Sequence, residues 1–497
     1  MKNKTSLVLA GLLNASLLSS GLLIADEAQS AQNAHGSAQN AQSTVSQSSN
    51  ESKKTISQFF EGMEAKGFAR MRFTTIEGPG GGGADGQHRF RIDLTSGKVD
   101  GWSLTTGLMF NYGSSNPTDG SNSNGAAQGS MAVVMGKEFN DRFGISQLSI
   151  NKEITGENTE AEFRAGRISM DSVFSDKVTD IGTGGVAKLQ VGKTKLALNL
   201  YDSWITSHII YNFRGDTANG GVGLGAGNVN EGSLGNGLAM LSVSGDKLGG
   251  FSYNVSLGYA NRLLDYMAFG EAKYDFGGFY VLGQISAAGM TNNPNFMTGA
   301  GDYLGSDWGF TLRAGQGVDK YNGFGNTDWA KNRGIYNLQV GYKNKEKPFS
   351  FKLGYLGSFG DGYGTLLDHK GGINVAGKFW INSYDATNEG FGIMGGGGRA
   401  GSSIQVGYLA LEYALGKSWK LGLDYSLIGG NNSYPYVESV LSAEDLADTQ
   451  NGMGITFHEI APSITYKIGR VTATAYYGQN VGDVNYGKGR VEMRYDF

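Results

Sequence analysis

Charged side chains recur at every second position in several segments of this sequence. Arg70 and Arg72 do so in one segment, and Arg89, Arg91 and Asp93 do so in another. Alternate residues of an extended strand point to the same face, so each segment collects its charges on one face. Rows of ionised groups attract and orient charged solutes. We therefore expect these faces to handle polar or charged molecules.

The same alternation carries the charged face into later segments. Its predicted members are Arg70, Arg72, Arg89, Arg91, Glu160, Glu162, Arg164 and Lys188. On a soluble sheet, such residues would form an ordinary solvated face. The opposite face of these segments is continuously apolar, which favours a polar lumen enclosed by a sheet whose exterior meets lipid.

Catalytic chemistry has little support in the sequence. No G-x-S-x-G or H-E-x-x-H motif occurs, and His208 beside Ser207 is the one candidate pair for a hydrolase. We predict that the chain is not an enzyme and that it requires no cofactor. The formal net charge of −4 also argues against a nucleic-acid partner.

The charged faces belong to segments of about ten residues with strict apolar–polar alternation. In 251–259 and in 419–427, aromatic and aliphatic residues occupy one face and small or polar residues the other. Period two predicts β-strands, and ten residues is about the length that a tilted strand needs to cross a bilayer. A soluble β-sandwich also alternates, but its strands are shorter. Aromatic residues beside tight turns, such as Tyr274, Phe276, Phe279 and Tyr280, predict interfacial girdles.

The connections between these segments predict the number of strands. Short turns are expected at 96–99, 151–158, 192–193, 245–249, 277–278, 344–348, 415–418 and 468–469. Longer outer connections are expected at 77–86, 113–142, 168–182, 205–236, 262–265, 290–333, 359–402, 429–453 and 480–488. Eight turns and nine loops give an all-β, transmembrane antiparallel barrel of about eighteen strands, and sixteen would also satisfy the required even number.

The two ends of the chain suggest its destination. Residues 1–25 read as a signal peptide, 26–58 as a flexible Ala/Ser/Gln/Asn-rich arm, and 59–497 as the barrel. The last strand alternates up to Tyr495 and Phe497, and such an aromatic end resembles the signal that bacterial outer-membrane assembly machinery recognises. The sequence thus predicts the outer membrane of a Gram-negative bacterium.

Several segments resemble a known family. The stretches 59–73, 165–184 and 196–204, together with the terminal strand, are similar to the major outer-membrane porins of Campylobacter and Helicobacter, which are related to OprD-like porins. The resemblance implies an eighteen-stranded homotrimer that passes small solutes with mild cation preference. It also implies that calcium can bind.

The resemblance further implies that the connection 168–182 folds into the pore as a constriction loop. Its charged residues are Asp171, Asp176, Lys177 and Asp180, and we expect its carboxylates to face Arg70, Arg72 and Arg89 across the lumen. An ordinary outward loop is the alternative. Asp176 and Asp180 are also the candidates for a calcium site, since calcium prefers several oxygen ligands.

Two functions follow as expectations. The first is a porin, a water-filled channel for passive diffusion of small hydrophilic solutes and ions. The alternative is an adhesin or structural barrel whose long loops bind host ligands; it predicts a lumen filled by loops or large side chains. Either barrel would have outer-membrane lipid and lipopolysaccharide as partners.

Overall fold

A computed structural model describes residues 57–117, 143–178, 180–205, 210–211, 237–261, 263–290, 330–368, 370–381, 390–393, 396–398, 400–432, 454 and 456–497. The predicted signal peptide, nearly all of the arm, and His208 lie outside these residues. Two compact units divide the chain: 1–63 with 96–100, and 64–95 with 101–497.

The larger unit contains nineteen strands among its described residues. They are β1 (Glu64–Gly78), β2 (Gly81–Thr95), β3 (Trp102–Pro117), β4 (Phe143–Thr155), β5 (Thr159–Ser169), β6 (Ile181–Val191), β7 (Thr194–Ile205), β8 (Ile210–Tyr211), β9 (Leu238–Leu248), β10 (Phe251–Ala260), β11 (Leu264–Phe276), β12 (Phe279–Met290), β13 (Asn332–Lys343), β14 (Phe349–Gly360), β15 (Gln405–Leu415), β16 (Trp419–Gly429), β17 (Phe457–Ile468), β18 (Val471–Gly482) and β19 (Tyr486–Asp496).

These strands form one closed antiparallel barrel. Apart from β8, each strand pairs with the next along the chain; β7 pairs with β9, and β19 returns to pair with β1. The two-residue strand β8 pairs antiparallel with the end of β7, through Trp204–Tyr211 and Ile205–Ile210. Eighteen strands therefore close the ring, which confirms the predicted number. Closure pairs the backbone of every barrel strand on both sides and leaves no open edge.

The connections alternate as the sequence predicted. Along the chain, short turns alternate with the connections that were predicted to lie on the outer side. The segment 77–86 differs from expectation: it continues the β1–β2 ladder until Gly78 pairs with Gly81, instead of forming an open loop. Gly81 adopts a φ of 147°, which favours glycine, so the glycine run permits a tight turn.

The outer face of the barrel is apolar. Met71 and Phe73 are each 52% exposed, whereas the next residue, inward-facing Thr74, is 7% exposed. Such a surface is stable in hydrocarbon rather than in water. Stacked rings continue across the turns, for example Phe276 on Phe279 at 6.1 Å between centroids, as a girdle requires. Tyr280 is the exception to the predicted girdle, because its hydroxyl accepts a hydrogen bond from inward-facing Gln339.

The described part of the smaller unit is a helical turn beside a hairpin turn. Residues 57–60 are helical, and Glu61 N donates to Ser57 O at 2.7 Å. Gly97 N donates to Phe59 O at 2.8 Å. Among the described residues, no helix is long and apolar enough to cross a membrane.

Candidate pore and its two inner loops

The inner face of the barrel carries the charged residues that the alternation predicted. Arg70 and Arg72 lie on β1, directly across the strand pair from Arg89 on β2 and from Glu492 and Arg494 on β19. Arg72 Nη2 lies 2.7 Å from Glu492 Oε2, and Arg70 Nε lies 3.9 Å from the same oxygen. The Glu492 carboxylate therefore forms ion pairs with two guanidinium groups. The wall formed by β1, β2 and β19 remains predominantly basic.

The connection between β5 and β6, residues 170–180, is here named the first inner loop. Arg91 on the inner face of β2 ties it to the wall: Nη1 donates to Val178 O, and Nη2 donates to Ser169 Oγ, both at 2.8 Å. Arg91 also pairs with Asp93 at 3.0 Å. Because these contacts come from the lumen side, the loop turns inward, in line with what the family resemblance implied.

Asp171 in the first inner loop is the centre of an ion-pair cluster. Its carboxylate lies 2.7 Å from both Lys177 Nζ and Lys188 Nζ. Burial opposes ionisation of this carboxyl, but the hydrogen bonds and charges of the two lysines outweigh it and lower the pKa of Asp171 to about 2. Its ion-pair partners are lysines, one of them on neighbouring β6, and the expectation that it faces the arginine wall across the lumen stays a prediction.

Asp176 and Asp180 stabilise the backbone of the first inner loop. Asp180 Oδ2 accepts the amide of Asp176 at 2.8 Å, and Asp176 Oδ1 accepts the amide of Val178 at 2.6 Å. Asp180 is fully buried. These bonds fix a tight loop turn. No group of three metal-ligating side chains occurs in the part of the chain that the structure describes, and calcium binding stays a prediction.

The connection between β14 and β15, residues 361–404, is here named the second inner loop. Its described apolar side chains, including Trp380 and Phe391, are buried. It joins the first inner loop through the backbone: Leu367 N donates to Phe174 O at 2.9 Å, and Gly372 N donates to Val173 O at 2.7 Å. The long connection predicted at 359–402 is therefore present, and its described residues pack against the inner wall.

Inward-facing side chains of the wall hold the second inner loop at Asn374. Gln284 on β12 accepts the Asn374 amide at 2.9 Å, and Asn337 on β13 donates to Asn374 O at 2.9 Å. Tyr408 on β15 donates to the same oxygen at 3.2 Å. Because three strands contribute these bonds, the loop follows the curvature of the wall.

Glu459 on β17 is the strongest anchor of the second inner loop. Its carboxylate accepts three consecutive backbone amides, those of Lys378 at 2.6 Å, Phe379 at 3.1 Å and Trp380 at 2.7 Å. Glu459 is fully buried. A buried carboxylate is stable only when its oxygens are satisfied, and these amides satisfy them. Asp424 adds a bond from Gly377 N at 3.1 Å.

Packing contacts also hold the second inner loop against the barrel wall. The ring of Phe379 lies 5.3 Å from that of Tyr476, and the Lys488 ammonium lies 5.5 Å from its centroid. A Cβ at Gly478 would come within 2.3 Å of the Phe379 ring, so glycine makes room for it. At the other end of the loop, the buried guanidinium of Arg333 donates to the carbonyls of Gly364 and Gly398.

A cavity of about 630 Å³ remains between the first inner loop and the wall formed by β4–β10. The predicted residues Glu160, Glu162 and Lys188 line it, together with hydroxyl and amide side chains such as Asn199 and Ser242. Arg164 forms an ion pair with Glu162 on the same strand. The cavity is therefore polar and carries charges of both signs.

Sequence reasoning missed the anchors of the second inner loop. Glu459 and Lys378 were not among the predicted site residues. One signal was present: residues 373–381 are rich in large apolar side chains, which a loop exposed to water rarely carries. A buried partner for this segment had to exist.

The terminal residues lie at the seam where β1 meets β19. Tyr495 faces outward, and Phe497 N donates to Gly67 O at 3.1 Å. The Phe497 ring stacks on Phe90 at 5.7 Å. Their role as an assembly signal stays a prediction.

No family model matches the sequence, and no curated protein matches it. Solved structures do. Pseudomonas aeruginosa OccK8 (OprE) is 13% identical with a TM-score of 0.53, and the match covers 88% of this chain and 99% of that chain. Acinetobacter baumannii OccAB2 is 9% identical with a TM-score of 0.53 and the same coverage. Pseudomonas aeruginosa OccK2 (OpdF), in complex with glucuronate, is 10% identical with a TM-score of 0.51, over 88% and 99% of the two chains.

These similarities concern the fold alone. They extend over nearly the full length of each matched barrel, so the number of strands and their order along the chain are shared. The chain has the closed, eighteen-stranded antiparallel barrel of the Occ outer-membrane proteins.

Proposed function

We propose that this protein is a porin, a water-filled channel in the outer membrane of a Gram-negative bacterium for passive diffusion of small hydrophilic solutes and ions. The observation that carries the proposal is a closed barrel with an apolar exterior and a charged interior. Charges on an inner face are stable where water, a polar solute or a hydrogen-bonding partner in the protein reaches them. We assign no catalytic chemistry to the chain.

The inner loops would set the size of the channel. Both loops are fixed to the wall by buried hydrogen bonds, so the narrowest section would be rigid on the time scale of permeation. The lumen would offer arginines on one side and the mixed charges of the cavity on the other, an arrangement that orients dipolar solutes. The proteins of similar fold support this function, and one of them holds glucuronate, a small hydrophilic solute.

We further propose that the chain is of the Campylobacter and Helicobacter porin type. The sequence resemblance supports this finer assignment. This assignment implies a homotrimer, contact with lipopolysaccharide, and recognition of Tyr495 and Phe497 by the outer-membrane assembly machinery.

One observation favours the alternative of an adhesin or structural barrel. The second inner loop occupies part of the lumen, and that function predicted a lumen filled by loops. The polar cavity beside the first inner loop favours the porin, because a purely structural barrel has no need to retain it.

A liposome swelling assay separates the two functions. The refolded chain is placed in liposomes, and swelling rates are compared for sugars of increasing size. A porin is expected to admit small sugars quickly and larger ones progressively more slowly. Swelling no faster than in liposomes that contain heat-denatured protein would leave the structural barrel as the better account.

A further inference from the structure

Five polar side chains form a continuous row across the inner wall of the barrel. They lie on β5, β6, β7, β9 and β10, and each is the cross-strand partner of the next. We name these residues the polar row: Glu160, Gln190, Lys195, Ser244 and Asn254. Neighbouring strands are about 4.8 Å apart, so the row repeats at about that spacing. All five residues line the cavity beside the first inner loop.

The polar row has hydrogen-bonding groups that the protein itself leaves unused. In the part of the chain that the structure describes, the side chains of Glu160, Lys195 and Ser244 form no hydrogen bond or ion pair. Asn254 Oδ1 accepts the Ser256 hydroxyl at 2.9 Å, whereas the Asn254 amide nitrogen has no acceptor among the described residues. The row therefore presents both donors and acceptors to a molecule in the cavity.

Most of the other charged side chains around the cavity are already paired. Asp171 and Glu162, for example, form the ion pairs described above. The row keeps one unpaired carboxylate, that of Glu160, and one unpaired ammonium, that of Lys195, which lie two strands apart. An anion would be repelled by the first group and a cation by the second. A hydroxyl group can donate to the carboxylate and accept from the ammonium, so the row favours an uncharged solute with several hydroxyl groups.

We propose that the cavity binds a neutral polyhydroxylated solute, of the size of a hexose or a disaccharide, along the polar row. The regular spacing of the row offers hydrogen-bonding partners to successive hydroxyl groups. Val173 and Ala197 also line the cavity and offer apolar contact to the C–H groups of a sugar. The cavity volume of about 630 Å³ lies in the range of small-molecule sites. The proposal deepens the porin function and rests on it, because it names a solute class that the lumen retains.

Saturation-transfer NMR on the detergent-solubilised protein tests the site with methyl α-glucoside as the probe. The methyl glycosides of glucuronic acid and of glucosamine carry one negative and one positive charge on the same ring. We expect the wild type to bind the neutral glycoside most tightly. Ser244→Val should weaken its binding by about twofold to tenfold, which corresponds to the loss of one hydrogen bond. Ser463→Val is the matched control, because Ser463 lies on β17 and outside the cavity.

Two charge variants test the roles of the unpaired groups. Glu160→Gln leaves the Lys195 ammonium without an opposing charge, so the preference should shift towards the glucuronide. Lys195→Gln leaves the Glu160 carboxylate alone, so the preference should shift towards the glucosamine glycoside. A structural role for either residue would not move the two preferences in opposite directions. Circular dichroism confirms that each variant is folded.

Three results would overturn the proposal: no saturable binding of the neutral glycoside, tighter wild-type binding of a charged glycoside or of glycine, or equal binding by the wild type and Ser244→Val. Liposome swelling with methyl α-glucoside, measured in parallel, reports on the porin function separately. Swelling without saturable binding would remove the site and keep the channel. Saturable binding without swelling would support the site and remove the channel.

Discussion

Replacing Glu459 with glutamine removes the main anchor of the second inner loop while preserving its shape. One carboxylate oxygen accepts the amides of Phe379 and Trp380, and the other accepts the amide of Lys378. Glutamine keeps a single acceptor oxygen and places an NH₂ group against at least one backbone N–H. The charge that strengthened all three bonds is lost as well.

The size of the effect follows from these bonds. A hydrogen bond to a charged group contributes about 1.5–3 kcal/mol, so losing one and weakening the others costs the anchored state about 2–5 kcal/mol. At a factor of ten per 1.4 kcal/mol, the displaced state of the loop gains about 30-fold to several thousand-fold in relative population.

Single-channel recording detects the displaced loop directly. We expect Glu459→Gln to show added conductance levels and more current noise than the wild type, because the second inner loop would detach from the barrel wall. Glu412→Gln is the control, because this inward-facing glutamate pairs with half-exposed Lys420 and contacts neither inner loop in the described residues. A Glu459→Gln channel with wild-type levels, noise and thermal stability would refute the anchoring role.

Three further predictions concern the inner loops. The folded-state pKa of Asp171 is lowered to about 2, so its ionised carboxylate stabilises the protein above about pH 4, the ordinary carboxyl range. This contribution is lost as the pH falls towards 2. The melting temperature measured from pH 5 to 2 should therefore fall more steeply for the wild type than for Asp171→Asn. Gly478→Ala should destabilise the barrel by about 1–3 kcal/mol through overpacking against the aromatic ring beside it, whereas Gly407→Ala, with open space at its Cβ, should have little effect on thermal unfolding. The pair Val173→Cys and Gly372→Cys should form a disulfide in this cysteine-free chain, because a Cβ added at 372 would lie 3.1 Å from that of Val173, and a shift of a few tenths of an ångström brings the pair into disulfide range. Thiol titration that finds both cysteines free under oxidising conditions would contradict the contact between the loops.

The barrel could be predicted from the sequence because its rules are local. Alternation with period two assigns each strand residue to the lumen or to lipid, and tight turns such as 277–278 separate the strands. Strand number and chain order then follow from counting turns. Arg72 and Lys188 face the lumen for the same reason.

The interior of the lumen could not be predicted in the same way. The anchoring of the second inner loop depends on contacts between residues about eighty positions apart, such as Trp380 and Glu459, and no local pattern encodes them. Charge alone also did not identify the ion-pair partners of Asp171, one of which is Lys188, 2.7 Å from its carboxylate.

A porin requires that the space beside the inner loops form a continuous aqueous path. Recording ionic current after insertion of the refolded wild-type chain into a planar bilayer tests it most directly. We predict discrete, reproducible conductance steps whose size increases with salt concentration. A bilayer that contains folded barrels and stays electrically silent over the accessible voltage range would contradict the account.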